Sequence, residues 1–426
     1  MTLHLPPLVP YDVLVNTRLT ALRSRDFRLL FLGQIVSLTG SQMQRVAVPY
    51  QIYKLTGSSL ALGLIGLSRV IPVLLFALFG GVIADALDRR RLMILSQSLM
   101  AACSIALAWM THAGHLTPVL MYVVLFIAGA AMALDSPARQ SLLPLLVPRE
   151  HLANALGLHA MAWEIAAIAG PSLAGLMIAW RGVFPIYVID AASFGAVIAA
   201  LLAMRHRAPP RAGASISLEA AREGLRFILG TPLILSTMTL DFVATFLGGS
   251  MLLLPVYADR ILHVGPRALG LLFAAQPVGA ALAAAALTLR PTIHRQGAAV
   301  LWSVAIYGAA IALFGVSTWL SLSLVLLAIS GAADTISMVV RQTLRQLLTP
   351  DALRGRMTSI NMIFFIGGPQ LGEFEAGVVA RAFGPRFSVG SGGVACIVAV
   401  AVAALAMPSL RRLTSTDYGN DPGAPS

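Results

Sequence analysis

Arg45, Glu164, Asp241, Asp334 and Glu373 each stand inside a stretch of otherwise apolar residues. A charge at the middle of a lipid-embedded helix costs about 2.5–3.5 kcal/mol on insertion scales, so each is a candidate for proton coupling or for lining a substrate cavity. A carboxyl group there can hold a proton when its surroundings are dry and release it when water enters. Glu164 suits this chemistry best, because it lies about one and a half helical turns before Gly170-Pro171, where a helix can bend. The competing reading of Glu164 is a structural hydrogen bond to a neighbouring helix. For Asp241 and Asp334 it is an ion pair with an arginine such as Arg45 or Arg69. Arg69, Asp190 and Glu375 lie toward span ends, where a side chain can reach polar surroundings.

A second constellation, Gly81-Val-Ile-Ala-Asp85-Ala-Leu-Asp88-Arg89-Arg90-Arg91, sets an acid before three bases in a tight turn. Groups so placed can pair across a gate; the competing reading is a basic anchor with an incidental acid. Other chemistries lack their parts. A phosphate-cradling loop needs Gly-Lys-Ser/Thr, and the one lysine, Lys54, follows Tyr53, so ATP is not the direct drive. No His-Glu-x-x-His or Cys-x-x-Cys occurs, His112 and His115 are a lone pair, and Cys103 and Cys396 are far apart. No metal, cofactor or enzyme activity is therefore expected.

Holding such charges in apolar surroundings requires helices that cross a membrane. Of the 426 residues 58% are hydrophobic and 11% charged, whereas globular domains carry about 25% charged residues. Apolar runs of about 20 residues recur without the alternation of a barrel strand, and helices satisfy their own backbone in lipid. The pattern predicts spans at 27–54, 60–84, 91–110, 118–138, 151–180 and 183–204, then 231–258, 266–289, 297–316, 320–341, 357–380 and 386–407. The net charge of +12 is scattered between these runs, which argues against a nucleic-acid partner. Residues 1–26 lack the apolar core of a cleavable signal and read as a cytoplasmic segment.

With both termini in the cytoplasm, 22 basic residues fall inside and six outside, which sets the orientation. Residues 205–230 form the one long interior loop, an arginine-rich cytoplasmic linker. Its Ser217–Leu229 stretch repeats apolar residues at helical spacing (Leu218, Ala221, Leu225, Ile228) and reads as a helix on the inner membrane surface. The linker separates an N-terminal bundle, 27–204, from a C-terminal bundle, 231–407, with a cytoplasmic tail at 408–426.

The two bundles repeat each other. Gly129-Ala-Ala, Arg139-Gln140 and Pro148 return at an offset of 202 as Gly331-Ala-Ala, Arg341-Gln342 and Pro350, which makes Arg139 and Arg341 equivalent inner-end residues. Ile168-Ala-Gly170-Pro171-Ser-Leu returns at an offset of 198 as Ile366-Gly-Gly368-Pro369-Gln-Leu. Both copies run in the same direction, the parallel repeat of two halves related by an axis along the membrane normal. In the fifth span Gly170, Pro171 and Gly175 make a bendable seam with close helix approach, and the second copy carries Glu373 into that seam.

The acid-and-base loop resembles the loop signature of the major facilitator superfamily, Gly-x-x-x-Asp-x-x-Gly-Arg-Arg/Lys. The resemblance implies that Asp85, Arg89 and Arg90 lock the cytoplasmic ends of the halves when the outer side is open; Asp88 stands where the family has glycine. Gly170-Pro171-x-x-x-Gly175 resembles an element associated with exporters in that superfamily. Ser24-Arg-Asp-Phe-Arg-Leu-Leu-Phe-Leu-Gly-Gln-Ile-Val-Ser-Leu-Thr-Gly40 and Asp135-Ser-Pro-Ala-Arg139-Gln-Ser-Leu-Leu-Pro144 are similar to the subgroup of enterobactin-type siderophore exporters and macrolide efflux proteins. The implied fold is all-α and integral to the membrane, twelve transmembrane helices in two pseudo-symmetric six-helix bundles. The implied activity is secondary transport by a monomer in the bacterial inner membrane, with protons or another coupling ion driving export of small amphipathic molecules such as drugs or siderophores. The alternatives are an importer or lysophospholipid flippase of the same fold, and a membrane sensor that does not transport.

Overall fold

The computed structural model describes residues 20–86, 88–205, 218–289 and 293–407, together with residues 411 and 414. Helices fill nearly all of this. In the first half they are α1 (Arg25–Thr56), α2 (Ser59–Ala86), α3 (Arg89–His112), α4 (Pro118–Leu142), α5 (Leu152–Arg181) and α6 (Phe184–Ala203). A short helix, α7 (Leu218–Gly230), follows the linker. The second half comprises α8 (Pro232–Leu247), α9 (Pro266–Thr288), α10 (Gln296–Val316), α11 (Leu320–Leu348), α12 (Asp351–Phe383) and α13 (Pro385–Ala406). Among the described residues, nine segments are both long and apolar enough to cross a bilayer, and α1, α2 and α12 match them in length at 32, 28 and 33 residues.

Local chemistry sets several ends. Gly57 closes α1 in the left-handed region (φ +61) and donates its N–H to the Tyr53 carbonyl, a conformation that costs glycine little. Thr117 caps α4, accepting from Leu120 N, with Pro118 at the first helical position. Asp88 caps α3: its Oδ1 accepts from the backbone N–H groups of Arg90 (2.8 Å) and Arg91 (3.1 Å). The residue that breaks the loop signature thus has its own task, satisfying donors that a helix start leaves without partners. Replacing Asp88 by Ala is expected to cost about 1 kcal/mol and Asp88→Asn close to nothing. Thermal midpoints of the purified variants check this, and equal midpoints for both would remove the assigned cap.

The internal repeat is visible in the packing. In the first half α1 packs on α5 and α6, α2 on α4, and α3 on α4 and α6. In the second half α8 packs on α12 and α13, α9 on α11, and α10 on α11 and α13, the same pairings with each helix replaced by its equivalent. The halves meet through α2 against α12 and α5 against α9, which are again equivalent. Glycines allow these approaches: Gly63 lies against Gly377, and Gly175 against Gly270. Around α7, Ile228 is buried with Ile234, Met238 and Met357, while Leu225 is exposed.

The seventh span departs from the continuous helix predicted over 231–258. α8 ends at Leu247, and a turn at Gly248 leads into short helical pieces over residues 251–261. The break has a packing cause. Gly248 lies directly against the Tyr307 ring, whose hydroxyl donates to the Gly248 carbonyl (3.2 Å), and Gly249 lies against Gly372 of α12. A side chain at either position has no room, and the freed backbone finds a partner in the tyrosine. α11 and α12 also run beyond the predicted 320–341 and 357–380, because their apolar windows understate helices that extend past the lipid.

Candidate functional site

The halves are joined at the end remote from the linker. There Tyr53 of α1 donates to Asp259 Oδ2 (2.8 Å), Lys54 lies 3.4 Å from Asp259 Oδ1, and Arg260 donates to the Gly57 carbonyl (3.1 Å). The Gly63–Gly377 and Gly175–Gly270 contacts belong to the same closed end. At the linker end the arginines of the loop bond within the first half, Arg89 to the Ser141 carbonyl (3.5 Å) and Arg90 to the Leu202 carbonyl (3.0 Å). Gly81 and Asp85 lie on α2; the surroundings of Gly81 and the side chain of Asp85 fall outside the described residues.

The five candidate ionisable residues fall into three groups. In the second half Asp241 of α8 meets α11: Arg341 lies 2.7 Å from its Oδ1 and Arg345 3.6 Å from its Oδ2. Asp334, two helical turns before Arg341 and on the same face, lies 3.8 Å from it. Both acids thus meet an arginine, and it is Arg341 of α11, joined for Asp241 by Arg345, rather than Arg45 or Arg69. Arg341 is also more than a basic anchor at the inner end, being 1% exposed. Its counterpart Arg139 pairs differently, with Asp135 of its own helix, one turn away. Asp135 also accepts from Gln97 (3.0 Å). The repeat places Ser337 where the first half has Asp135, so the buried arginine must take its carboxylate from another helix. The Asp241 carboxylate is buried, whereas the Asp334 side chain is 44% exposed.

The second group gathers where α2 crosses α12. Glu373 occupies the place that Gly175 holds in the first copy of the repeat, so a carboxylate sits in one seam where its equivalent has bare backbone. α2 comes so close at Gly66 that a methyl group there would be 3.1 Å from Glu373 Cβ. Arg69, one turn along α2 from Gly66, and Arg45 of α1 both act electrostatically on Glu373. Arg45 also donates to Gln42 Oε1 (3.2 Å). Arg69 thus serves this cluster rather than reaching for a span end, and composition offered no signal for that beyond its being an arginine in an apolar run.

Glu164 makes up the third group alone. It is half-buried and forms no hydrogen bond or ion pair with the described residues. Pro171 and Gly175, the residues of α5 that touch Gly270 of α9, lie seven and eleven positions further on. Those spacings put Glu164 on the same helix face, two turns nearer the linker end. Its carboxyl group therefore points toward the other half at a level below the closed end.

Asp190 overturns its expectation as well. It is fully buried, accepting from Ser104 (2.6 Å) and Ser41 (3.2 Å), and so ties α6 to α1 and α3. Cys103 and Cys396 are buried free thiols, and the described residues contain no group of three or more His, Cys, Asp or Glu placed to hold a metal. A recess of about 630 Å³, lined by Val36, Met43, Leu176, Trp180 and Arg267, lies on the flank of α1 and α5, and none of the five candidate ionisable residues lines it.

The sequence pattern of the family described as transmembrane secretion effectors matches residues 16–421. The chain is 27% identical to the enterobactin exporter EntS of Escherichia coli O1:K1 over 392 residues, covering 92% of this chain and 94% of the relative. The Shigella boydii serotype 18 exporter of the same name matches equally well. Among solved structures, the fold resembles a bacterial homolog of the human lysosomal transporter Spinster in its inward-facing, occupied conformation. The TM-score there is 0.72 at 15% identity, over 95% of this chain and 99% of the other. An inward-facing bacterial homologue of the iron transporter ferroportin gives 0.67 at 17% identity, over 91% and 99%.

Proposed function

Because the chain belongs to the transmembrane secretion effector family of major facilitator transporters and is a multi-pass carrier of small molecules, we propose that it exports small amphipathic molecules from the cytoplasm in exchange for protons. The observation that carries the proton-coupled reading is Glu164, an unpaired carboxyl group on the face of α5 that looks across to the second half. The basic residues grouped at the linker end support a cytoplasmic placement of that end. The arrangement, closed at the far end, then corresponds to the state that loads cargo from inside. Rocking of the two halves about α2–α12 and α5–α9 would open the far end and release it.

Coupling follows from the two surroundings of one carboxyl group. Opened to the outside, Glu164 takes a proton; returned to the inward arrangement, it gives the proton up to cytoplasmic water and leaves a charge that favours the hydrated state. Cargo and proton then drive each other only as far as each binds the two states differently. Kinship with an enterobactin exporter supports the outward direction and a cargo of siderophore or drug class.

The test uses inside-out vesicles from an efflux-deficient host, acidified inside, with the neutral dye N-phenyl-1-naphthylamine as probe. Gradient-driven uptake by wild type is expected to fall at least about tenfold in Glu164→Gln, the scale of one lost proton-transfer partner. Exchange of dye without a gradient should persist in the variant. Undiminished gradient-driven uptake in Glu164→Gln would eliminate this residue as the coupling group.

A further inference from the structure

Arg69 stands one turn along α2 from Gly66, which approaches α12 so closely that a methyl group there would lie 3.1 Å from Glu373 Cβ, and Arg45 stands on the adjoining helix α1, so two guanidinium groups and one carboxyl group share this crossing. Glu373 forms no ion pair within 4.0 Å among the described residues, so neither guanidinium is saturated. Each arginine has five N–H donors. Among the described residues, Arg45 donates only to Gln42, and Arg69 donates to none. Arg45 is an exposed arginine in the middle of a membrane-spanning helix whose neighbours Val46, Ala47 and Val48 are buried. This contrasts with the second half, where Asp241 engages Arg341 and Arg345 directly.

We propose that Arg45 and Arg69 recognise an anionic oxygen group on the cargo, and that Glu373 competes with the cargo for them. This inference rests on the export reading and narrows its substrate class to organic anions. A planar guanidinium suits carboxylate, sulfonate or ionised phenol oxygens, and it keeps its charge at any physiological pH. With the site empty, Glu373 partly neutralises the pair. An arriving anion takes over the N–H groups, and Glu373 loses its attraction to α1 and α2. Because Glu373 stands in the seam where α2 meets α12, that exchange weakens a contact holding the far end closed. Cargo binding thereby favours the opening that releases it.

A matched pair of dyes tests this: 8-anilinonaphthalene-1-sulfonate and N-phenyl-1-naphthylamine share one skeleton and differ by the sulfonate. Their dissociation constants are measured by fluorescence on protein in nanodiscs, with empty discs subtracted and no proton gradient. Wild type is expected to prefer the sulfonate at least about tenfold, the scale of one hydrogen bond to a charged group. Arg45→Gln and Arg69→Gln should bring the ratio of constants near one, Arg69→Lys should restore most of it, and Glu373→Gln should tighten sulfonate binding several-fold. A merely structural role would not raise affinity in Glu373→Gln. Equal binding of the two dyes by wild type, or an unchanged ratio in both arginine variants, overturns the proposal. Gradient-driven uptake of the neutral dye alongside such a result leaves the export reading standing. Arginine-dependent sulfonate binding without gradient-driven uptake keeps this inference and removes proton coupling.

Discussion

Asp241→Asn is expected to cost about 3–5 kcal/mol of stability, the loss typical when one partner of a buried ion pair is removed and the other is left charged. Two arginines depend on this carboxylate: Arg341 at 2.7 Å and Arg345 at 3.6 Å, and they are 1% and 5% exposed. Asp334 cannot take its place, since it lies 3.8 Å from Arg341 and its side chain is 44% exposed. Thermal midpoints by size-exclusion chromatography after heating provide the measurement. Asp241→Asn should drop well below wild type, and Asp334→Asn should stay near it because its exposed carboxyl group loses little on neutralisation. If Asp241→Asn melts with wild type, the ion pairs of α8 and α11 do not hold this half together.

Gly270→Leu is expected to reduce transport to below about a tenth of wild type by preventing closure of the far end, a gating step on which turnover depends. At this position α9 lies against α5 so closely that an added Cβ would meet the Pro171 carbonyl and come within 2.9 Å of Gly175 Cα. A leucine can be accommodated only if the halves separate, since the obstruction is backbone on both sides. The second readout is Thr56→Cys, next to the Gly57 carbonyl that accepts from Arg260 at the far end. In whole cells it should react faster with a membrane-impermeant maleimide when Gly270 is Leu, the two native cysteines being buried. Gly279→Leu makes the contrast, because Gly279 packs on Ala328 within one half. Its cost should appear as lost folded protein rather than as an open outer end. Full transport by Gly270→Leu would show that this close approach is not needed for the cycle.

The functional weight of the α2–α12 and α5–α9 seams comes from what differs between two copies of one pattern. Gly175 gives the first seam a backbone contact, while its equivalent Glu373 gives the second a carboxyl group at the close approach of Gly66. A repeat keeps helices in equivalent places, and individual substitutions within it divide the labour. Arg139 and Arg341 show the same thing. One finds its acid a turn away in its own helix, and the other, having Ser337 there instead, draws Asp241 from α8.

The residues by themselves determined the class of fold, because lipid offers backbone groups no partners and an apolar run of about 20 residues must become a helix. They also determined the two-half plan, through the offsets of 202 and 198. Only the tertiary structure decided the partners across helices. Periodicity fixes which side chains share a face, but which face meets which helix depends on how closely the backbones approach, and glycines far apart in sequence set that distance. Asp241 therefore found Arg341 and Arg345 rather than Arg45, and Asp190 went inward to Ser41 and Ser104. The seventh span likewise broke at Gly248 because Tyr307 packs against it, a contact that no local pattern near residue 248 announces.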